Sequence, residues 1–356
     1  MKIAFDATPL YGRFGGIEGA LWQTLLALHD LDLPHEMHVF VPQDAPPSPF
    51  CKANWHWRPL SFEGEEKMRR IFWQQVEVPS LLRREKFDCL HATNYVMPLL
   101  SPVRTVVFVP DLIALNHPRF ATRTNRLHYR TVLPATLRRA DVLLVPTPRG
   151  GEEVLRRARG ARAVVTPLGV EKEFFEPIDA QEREAVRRKF ALPPRFLLYV
   201  GNLEPKKNLW RLLRAVDELG EEAPELVLVG GVRPWPELES LKLRTRFLGY
   251  VERRELQALM SECAAFCFSS LAEGFGMPVV EALACGARVV ASTQVPVPDL
   301  SQVAYTPNPH SVDSIAGAIR QALNDSDFDA SKARDFARAF SWERTARAIA
   351  EVYETL

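Results

Sequence analysis

Short apolar runs alternate with stretches of helical period along the first half of the chain. The runs are continuous in hydrophobicity, which is typical of strands covered on both faces, and they predict a parallel, doubly wound sheet. Helical period marks residues 20–28 and 76–84, between predicted strands. The six predicted strands are residues 3–5, 37–41, 89–91, 105–109, 142–145 and 163–165.

The second half repeats this arrangement, so the pattern predicts a second α/β domain. A charged, proline-bearing segment, residues 171–194, separates the halves and is expected to form a linker with one helix. We therefore predict domains at 1–170 and 171–340, followed by a helix at 341–356 with an apolar stripe. The predicted strands of the second domain are residues 196–200, 226–229, 247–248, 265–268, 288–291 and 303–305.

Composition narrows the class of protein. A length of 356 residues favours two domains over one very large one. The net charge of +1 gives no global field that would attract nucleic acid, so no nucleic-acid partner is expected. The five cysteines lie mostly in apolar runs, which favours core thiols in a reducing compartment. No leader-like start and no long apolar run is present, so we expect a cytoplasmic protein.

One stretch, residues 269–286, carries the strongest local pattern. A buried strand is followed by a glycine turn, by Pro278 at a helix start and by Gly286 where a left-handed helix end is expected. In an open parallel sheet, ligands bind at such turns because N–H groups at the helix start point outward. Glu273 and Glu281 bracket the turn. The alternative is a tight turn with two solvated glutamates.

The letters E-G-F-G-M-P-V-V-E in this stretch resemble the signature of the GT4 family of retaining glycosyltransferases, whose E-x7-E frames the sugar-nucleotide site. The resemblance implies the GT-B fold, two Rossmann-like domains facing a cleft. It implies that Glu281 binds the ribose hydroxyls, and Glu273 the sugar hydroxyls or the developing oxocarbenium charge. Backbone N–H groups of the turn would face the diphosphate, and the turn comprises Gly274, Phe275, Gly276 and Met277.

Two further loops of the second domain resemble donor-binding loops of the family. Residues 201–209 are similar to its G-x-L-x-P-R-K-N loop, which implies that Lys207 binds the donor diphosphate. Asn202 stands where many relatives have arginine, so Lys206 or Arg211 is expected to supply the second positive charge. Asn208 is expected to cap the following helix. Gly230 belongs to a turn that resembles the family's nucleotide-contacting G-x-G.

The first domain offers three candidate positions. Gly15 and Gly16 follow the first strand and match the family's GGIE-type loop, which lies against the donor diphosphate and the acceptor. His91 ends the third strand and is either a cleft residue or a core histidine. Relatives typically carry His-Asp after the fourth strand, with the histidine contacting the donor sugar. This chain has Pro110, which cannot donate a hydrogen bond, and we expect Asp111 to take over part of that role.

Basic residues concentrate in the second part of the first domain. Ten arginines lie between residues 123 and 162 against three acidic residues, and residues 68–73 mix bases with bulky apolar side chains. Such runs are usually solvated faces. Family members that act on lipid-linked acceptors often dock on anionic membrane through such surfaces, so peripheral membrane contact is the second interpretation. The resemblance also implies that the terminal helix crosses back onto the first domain, whereas packing on the second domain is the simpler alternative.

The sequence thus predicts an enzyme that transfers a sugar from a nucleoside-diphosphate donor to a glycan or lipid-linked acceptor with retention. Polysaccharide or lipopolysaccharide biosynthesis is the expected setting, and neither metal nor other cofactor is expected. Pro110 leaves the C6 hydroxyl of a hexose without a partner, which favours a 6-deoxyhexose donor. The alternative is that His91 or Asp111 reaches this hydroxyl and that a hexose such as mannose is used. A sugar-nucleotide epimerase and a non-catalytic sugar-nucleotide-binding protein are the alternatives.

Overall fold

The computed structural model describes residues 1–12, 15–120, 123–231 and 245–356, with side chains of the helix at 123–139 described from residue 129 onward. The chain divides into two compact units. The first unit comprises Met1–Gly169 together with Ser341–Leu356, and the second comprises Val170–Phe340. The terminal segment therefore belongs to the first unit, although the second unit separates the two parts in sequence.

The described residues form twelve strands and thirteen α-helices. The strands are β1 Lys2–Asp6, β2 Glu36–Val41, β3 Trp55–Pro59, β4 Cys89–Ala92, β5 Arg104–Phe108, β6 Val142–Val145, β7 Ala163–Val165, β8 Phe196–Val200, β9 Glu225–Val229, β10 Thr245–Gly249, β11 Ala265–Phe268 and β12 Val289–Ala291. The helices are α1 Ile17–Asp30, α2 Lys67–Phe72, α3 Val78–Arg84, α4 Ile113–Asn116, α5 Arg123–Arg139, α6 Pro148–Arg157, α7 Ala180–Lys189, α8 Leu209–Glu218, α9 Arg253–Glu262, α10 Met277–Ala284, α11 Val312–Asn324, α12 Ala330–Arg338 and α13 Trp342–Glu354.

The first unit is built on a seven-stranded parallel sheet in the order β3-β2-β1-β4-β5-β6-β7. The six strands predicted for this half are all present. The seventh, β3, was missed because its residues Trp-His-Trp-Arg-Pro lack a continuous apolar run. As the edge strand, β3 packs only partly and leaves most of its side chains half-buried.

Helix α13 packs on α1 in the first unit. Its apolar stripe, including Ile349, Val352 and Tyr353, joins the buried cluster that also contains Ile3 and Phe5 of β1. The sequence left open whether this helix packs on the first or the second domain, and in the structure it packs on the first unit. The helix begins after Ser341, whose hydroxyl accepts a hydrogen bond from the backbone N–H of Arg344.

The second unit contains a five-stranded parallel sheet in the order β10-β9-β8-β11-β12. Five of the six predicted strands are present, and the prediction of a strand at 303–305 was wrong. There, only Tyr305 pairs with β12, as an isolated bridge to Val290. The preceding 3-10 turn, Leu300–Gln302, turns the chain so that only one residue reaches the sheet edge.

The segment predicted as a linker folds onto the second unit. It contains a 3-10 turn, Lys172–Phe175, and α7, where the Asp179 side chain caps the Glu182 N–H and the Glu182 side chain reaches back. The strand order also reverses in this unit, because β9 and β11 lie on opposite sides of β8. In open α/β sheets, ligands bind beside the carboxyl ends of strands at such a reversal.

Candidate active site

The loops after β8 and β11 meet at the strand-order reversal of the second unit. The loop after β8 contains the 3-10 turn Pro205–Lys207, and the loop after β11 leads into α10. A backbone hydrogen bond from Leu271 N to Lys206 O, 2.7 Å long, joins them. Residues far apart in sequence are thereby brought together where the fold favours a ligand.

A buried ion pair spans these two loops. Lys207 Nζ lies 2.7 Å from Glu273 Oε1, and the two side chains are only 13% and 9% exposed. The same ammonium group lies 4.8 Å from the centre of the Phe268 ring. Burial opposes ionisation of Glu273, but the charges of Lys207 and Lys206 together hold the pKa of its carboxyl below the usual value. Glu273 is therefore ionised at neutral pH.

Glu281 differs from Glu273 although both carboxylates frame the same turn. It lies in α10 and is 8% exposed. Burial raises the pKa of its carboxyl to about 7, against the opposing charge of Arg253, while Glu171 adds to the rise. Arg253 is itself paired with Glu171. Glu281 therefore changes its charge near neutral pH, whereas Glu273 does not.

The turn between the two glutamates needs glycine at Gly276. Its φ of 110° is a conformation that side chains rarely adopt, and a Cβ there would lie 2.7 Å from Val295 Cγ1. Phe275 is buried against Phe340, with ring centres 5.7 Å apart, so only its backbone is suited to a ligand. Gly274 and Met277 are partly exposed. Pro278 and Gly286 occupy the helix-start and left-handed helix-end positions that the sequence predicts.

Asn202 joins three loops at the carboxyl edge of this sheet. Its Oδ1 accepts hydrogen bonds from Gly231 N and Tyr250 Oη, each 3.1 Å long. Gly230 has a φ of 137°, and a Cβ there would lie 2.3 Å from Gly201 O. Here glycine permits two loops to touch backbone to backbone. Asn202 consequently organises the loops rather than replacing the missing arginine's charge.

Of the two candidates for the second positive charge, Lys206 is held less closely by an internal partner than Arg211. Lys206 Nζ lies 4.0 Å from Glu204 Oε2, whereas Arg211 donates a 2.8 Å hydrogen bond to Asn208 Oδ1. Asn208 occupies the N-cap position of α8, as expected, but its side chain makes no capping hydrogen bond. Asn208 is left-handed, with a φ of 58°, and its Nδ2 donates to Ser269 O and Pro309 O. The Asn208 amide therefore ties its own loop to the segments that contain Ser269 and Pro309, and it does not cap the helix start.

In the first unit, the glycine turn before α1 is placed as the sequence suggests. Gly16 precedes the helix with a φ of 60°, and no described atom lies within 4 Å of the place where a Cβ on Gly15 would be. The carbonyl oxygen of Gly16 accepts the first helical hydrogen bond from Ala20 N, at 3.0 Å. The preceding residues 13 and 14 lie outside the described part of the chain.

His91 occupies the core position that the sequence left open as an alternative. It is 2% exposed, its Nδ1 lies 2.6 Å from Tyr353 Oη and its ring lies 4.3 Å from that of Phe5. Burial lowers the pKa of His91 to about 3, so the imidazole is neutral. It borders a small pocket between the sheet and helices α1 and α13.

Both carboxylate oxygens of Asp111 have partners in the first unit. Oδ2 accepts a 2.8 Å hydrogen bond from Tyr95 Oη, and Oδ1 accepts one of 2.8 Å from Ile113 N. No sequence pattern pointed to Tyr95, which has an unusual positive φ of 64° and holds this carboxylate. Pro110 beside it is buried.

Exposed apolar side chains lie where the sequence mixes basic and apolar residues. Met68, Phe72 and Val76 are 75%, 52% and 53% exposed and follow one another at four-residue intervals. Leu100 is 73% exposed in a loop tied to the same segment by Gln75, whose amide bonds to neighbouring backbone. The side chains of Arg123 and Arg126, which belong to the basic run, lie outside the described residues. Among the described helices, none has the length and apolar character needed to span a bilayer.

Comparison with known proteins gives two family matches. Residues 14–174 match a family described as Glycosyltransferase Family 4, and residues 181–339 match one described as Glycosyl transferases group 1. O-antigen chain mannosyltransferase B of Escherichia coli is 28% identical over 332 residues, covering 86% of this chain and 85% of the relative. Serotype-specific mannosyltransferase WbdA of Escherichia coli is 29% identical over 291 residues, 75% of this chain but only 36% of that longer protein.

Solved structures resemble this chain over its whole length. The glycosyltransferase WaaG, involved in lipopolysaccharide biosynthesis, superposes with a TM-score of 0.76 at 19% identity, covering 98% of this chain and 99% of that one. Anabaena Alr3699/HepE, solved in complex with UDP-glucose, gives a TM-score of 0.74 at 18% identity, covering 100% of both chains. At these identities the likeness concerns the fold, and the predicted GT-B class is confirmed.

Proposed function

Since the chain belongs to glycosyltransferase family 4 and is a sugar-transferring enzyme, we propose that it moves mannose from a nucleoside-diphosphate donor to a glycan or lipid-linked acceptor with retention. The mannosyltransferases among its relatives support this donor sugar. The observation that carries the proposal is the Lys207–Glu273 ion pair at the strand-order reversal of the second unit.

The charges of the pair suit the two ends of the breaking bond. When the glycosidic bond to the diphosphate breaks, negative charge develops on the leaving oxygen and positive charge on the sugar ring. Lys207 stabilises the first and Glu273 the second, and neither side chain has to be desolvated during the reaction because both are already buried. In this proposal, backbone N–H groups at the start of α10 and Lys206 assist at the diphosphate, and Gly230 with Glu281 holds the nucleoside. No metal ion is required.

A 6-deoxyhexose donor is the second candidate, and it is favoured by Pro110. The polar groups that could replace the family's histidine have internal partners, since His91 contacts Tyr353 and Asp111 contacts Tyr95. A hexose C6 hydroxyl would then lack a partner at a cost of about 1–3 kcal/mol, whereas the methyl group of a 6-deoxy sugar loses nothing.

A lipid-linked acceptor is supported by the exposed apolar surface of Met68, Phe72, Val76 and Leu100. Arg139 lies beside it and donates a 3.0 Å hydrogen bond to Leu99 O. Apolar side chains with adjacent cations are suited to the interface of an anionic bilayer. Sedimentation with anionic vesicles, but not with neutral ones, is expected, and a Met68→Ser/Phe72→Ser variant should remain in the supernatant. Equal sedimentation of both proteins would remove this surface from the proposal.

The function itself is tested with purified protein and a panel of GDP-mannose, UDP-glucose and nucleoside-diphosphate 6-deoxyhexoses, each with a mannose-terminated glycan. Transfer from one donor, with an anomeric configuration by NMR that matches the donor's, is the expected result. A product of inverted configuration would overturn retention. Conversion of the donor sugar into an epimer without transfer would favour the epimerase alternative, and binding without turnover of any donor would favour a non-catalytic protein.

A further inference from the structure

Two histidines and a glutamate converge at the edge of the first unit's sheet, away from the residues discussed above. Glu36 and His38 are two residues apart on β2 and therefore face the same side. His56 of β3 is the direct cross-strand partner of His38. Glu36 begins β2, so the cluster lies toward the amino ends of the strands, whereas the candidate loops follow the carboxyl ends.

The potential ligand atoms of these side chains point at one another. Glu36 Oε1 lies 2.7 Å from His38 Nε2 and 3.5 Å from His56 Nε2, and one atom from each residue fits within a 4.8 Å span. Ligands about 2.0–2.1 Å from a tetrahedral Zn²⁺ are roughly 3.3 Å apart, so only small side-chain shifts would admit an ion. His38 is 6% exposed, and the rings of Phe87 and His56 pack around it.

We propose that Glu36, His38 and His56 form a binding site for a divalent transition-metal ion, with Zn²⁺ the best match. Two imidazoles and one carboxylate are borderline ligands that suit Zn²⁺ and its neighbours rather than Mg²⁺ or Ca²⁺. Water fills the fourth position. Since the ligands come from adjacent strands, the ion joins edge strand β3 to β2, and its role is structural and separate from sugar transfer.

Neighbouring charges determine what must change when the ion binds. Arg58 NH1 lies 3.3 Å from His38 Nδ1, and the same guanidinium is paired with Glu85 through contacts of 2.6 and 3.1 Å. Metal coordination through Nε2 leaves the proton of His38 on Nδ1, so Arg58 gives up the histidine and keeps Glu85. Lys2, the other nearby cation, contacts Glu85 O at 3.2 Å.

Calorimetric titration of untagged, chelator-treated protein with ZnCl₂ tests the proposal. One ion per chain is expected to bind, and Co²⁺ is expected to give the visible absorption of a tetrahedral site without thiolate charge-transfer bands. Glu36→Gln and His56→Gln should each lower the affinity for Zn²⁺ by more than the 10–100-fold that is typical of losing an outer-sphere partner. Hydrogen exchange of β3 amides should slow when Zn²⁺ is added to the wild type.

Two matched controls distinguish this site from other ligands. Cys51 Sγ lies 3.9 Å from His29 Nε2, so Cys51→Ser tests a competing pair, and His310→Gln removes an exposed histidine elsewhere. Both variants should bind Zn²⁺ like the wild type. The proposal is overturned by absence of Zn²⁺ binding, by unchanged binding in Glu36→Gln and His56→Gln, or by loss of binding in Cys51→Ser.

Discussion

The two units use the carboxyl edges of their sheets in opposite ways. In the second unit, Lys207 and Glu273 face each other across two loops, and Glu281 lies nearby with the pKa of its carboxyl raised to about 7. In the first unit, two carboxylates at the carboxyl edge of the sheet, Asp6 and Asp111, have internal hydrogen-bond partners. Asp6 accepts from Thr8 and from Gln74, which lies in a π-helical turn, and Asp111 accepts from Tyr95 and Ile113.

This difference separates groups suited to act on a ligand from groups that build the scaffold. Hydrogen bonds in the first unit satisfy buried polar atoms and would be costly to break. In the second unit, Lys207 and Glu273 are held together as an ion pair in a buried environment. In the proposed function, Lys207 turns to the diphosphate and Glu273 to the developing positive charge of the sugar. Substitutions in either unit test this difference.

The largest expected effect comes from Lys207→Ala, which should lower turnover by roughly 10²–10³, the loss of one charge-stabilising group. Because Glu273 is left buried without its partner, stability should also fall, by up to about 3–5 kcal/mol. Lys207→Met combined with Glu273→Gln removes both charges and should recover stability but not turnover. Steady-state kinetics and denaturant unfolding measure the two effects. Wild-type turnover in a folded Lys207→Ala variant would remove this residue from the site.

The next effect concerns Pro110 in the first unit. Pro110→His restores a hydrogen-bond donor, which is worth about 1–3 kcal/mol to a hexose donor. The ratio of kcat/KM for the hexose donor to kcat/KM for the 6-deoxy donor should therefore rise roughly 5–150-fold. Competition between GDP-mannose and GDP-6-deoxymannose measures the ratio, with Pro110→Ala as the control for the backbone change. A wild type that uses GDP-mannose efficiently and turns over no 6-deoxy donor would mean that proline is compensated.

Glu281 and Glu273 should affect different steps. Glu281→Gln should weaken binding of the nucleoside diphosphate by roughly 10–100-fold, since hydrogen bonds to charged groups contribute about 1.5–3 kcal/mol. Glu273→Gln should leave that affinity nearly intact and depress transfer. Calorimetry with the nucleoside diphosphate and kinetics with the intact donor separate the two roles. Equal losses of affinity in both variants would contradict the assignment.

The raised pKa of Glu281 predicts a pH dependence of donor binding. Its carboxyl is largely neutral below pH 7 and ionised above. In the proposed function, the ionised form accepts hydrogen bonds from the ribose hydroxyls. Affinity should therefore fall as pH drops below 7, by up to about tenfold per pH unit, with a proton released on binding. An intact sugar nucleotide is the proper ligand, because its diphosphate does not titrate near neutrality. A profile that keeps the same slope in Glu281→Gln would point to another group.

The smallest effect on activity is expected from Tyr353→Phe. Loss of the hydroxyl removes the hydrogen-bond partner of buried His91 and should destabilise the fold by about 1–3 kcal/mol. Donor KM and turnover should stay at wild-type values, because His91 lies in the core. Denaturant unfolding and kinetics on the same preparation measure both. A raised donor KM would show that His91 also acts at the ligand.

The sequence by itself determined eleven of the twelve described strands, the two α/β halves and the turn between Glu273 and Glu281. These features are local. Continuous apolar runs specify buried parallel strands, and glycine at Gly276 and Gly286 with proline at Pro278 specifies how the chain enters and leaves a helix. The edge strand β3 was not predicted, because a half-buried strand has no continuous apolar run.

Only the tertiary structure decided which polar groups are partners. Lys207 and Glu273 are 66 positions apart, and His91 and Tyr353 are 262 apart. No periodicity within a segment records such a pairing, because it depends on strand order and on where a distant helix packs. Sequence patterns describe burial one segment at a time, whereas the ionisation of Glu281 and the neutrality of His91 result from burial and charges supplied by several segments together.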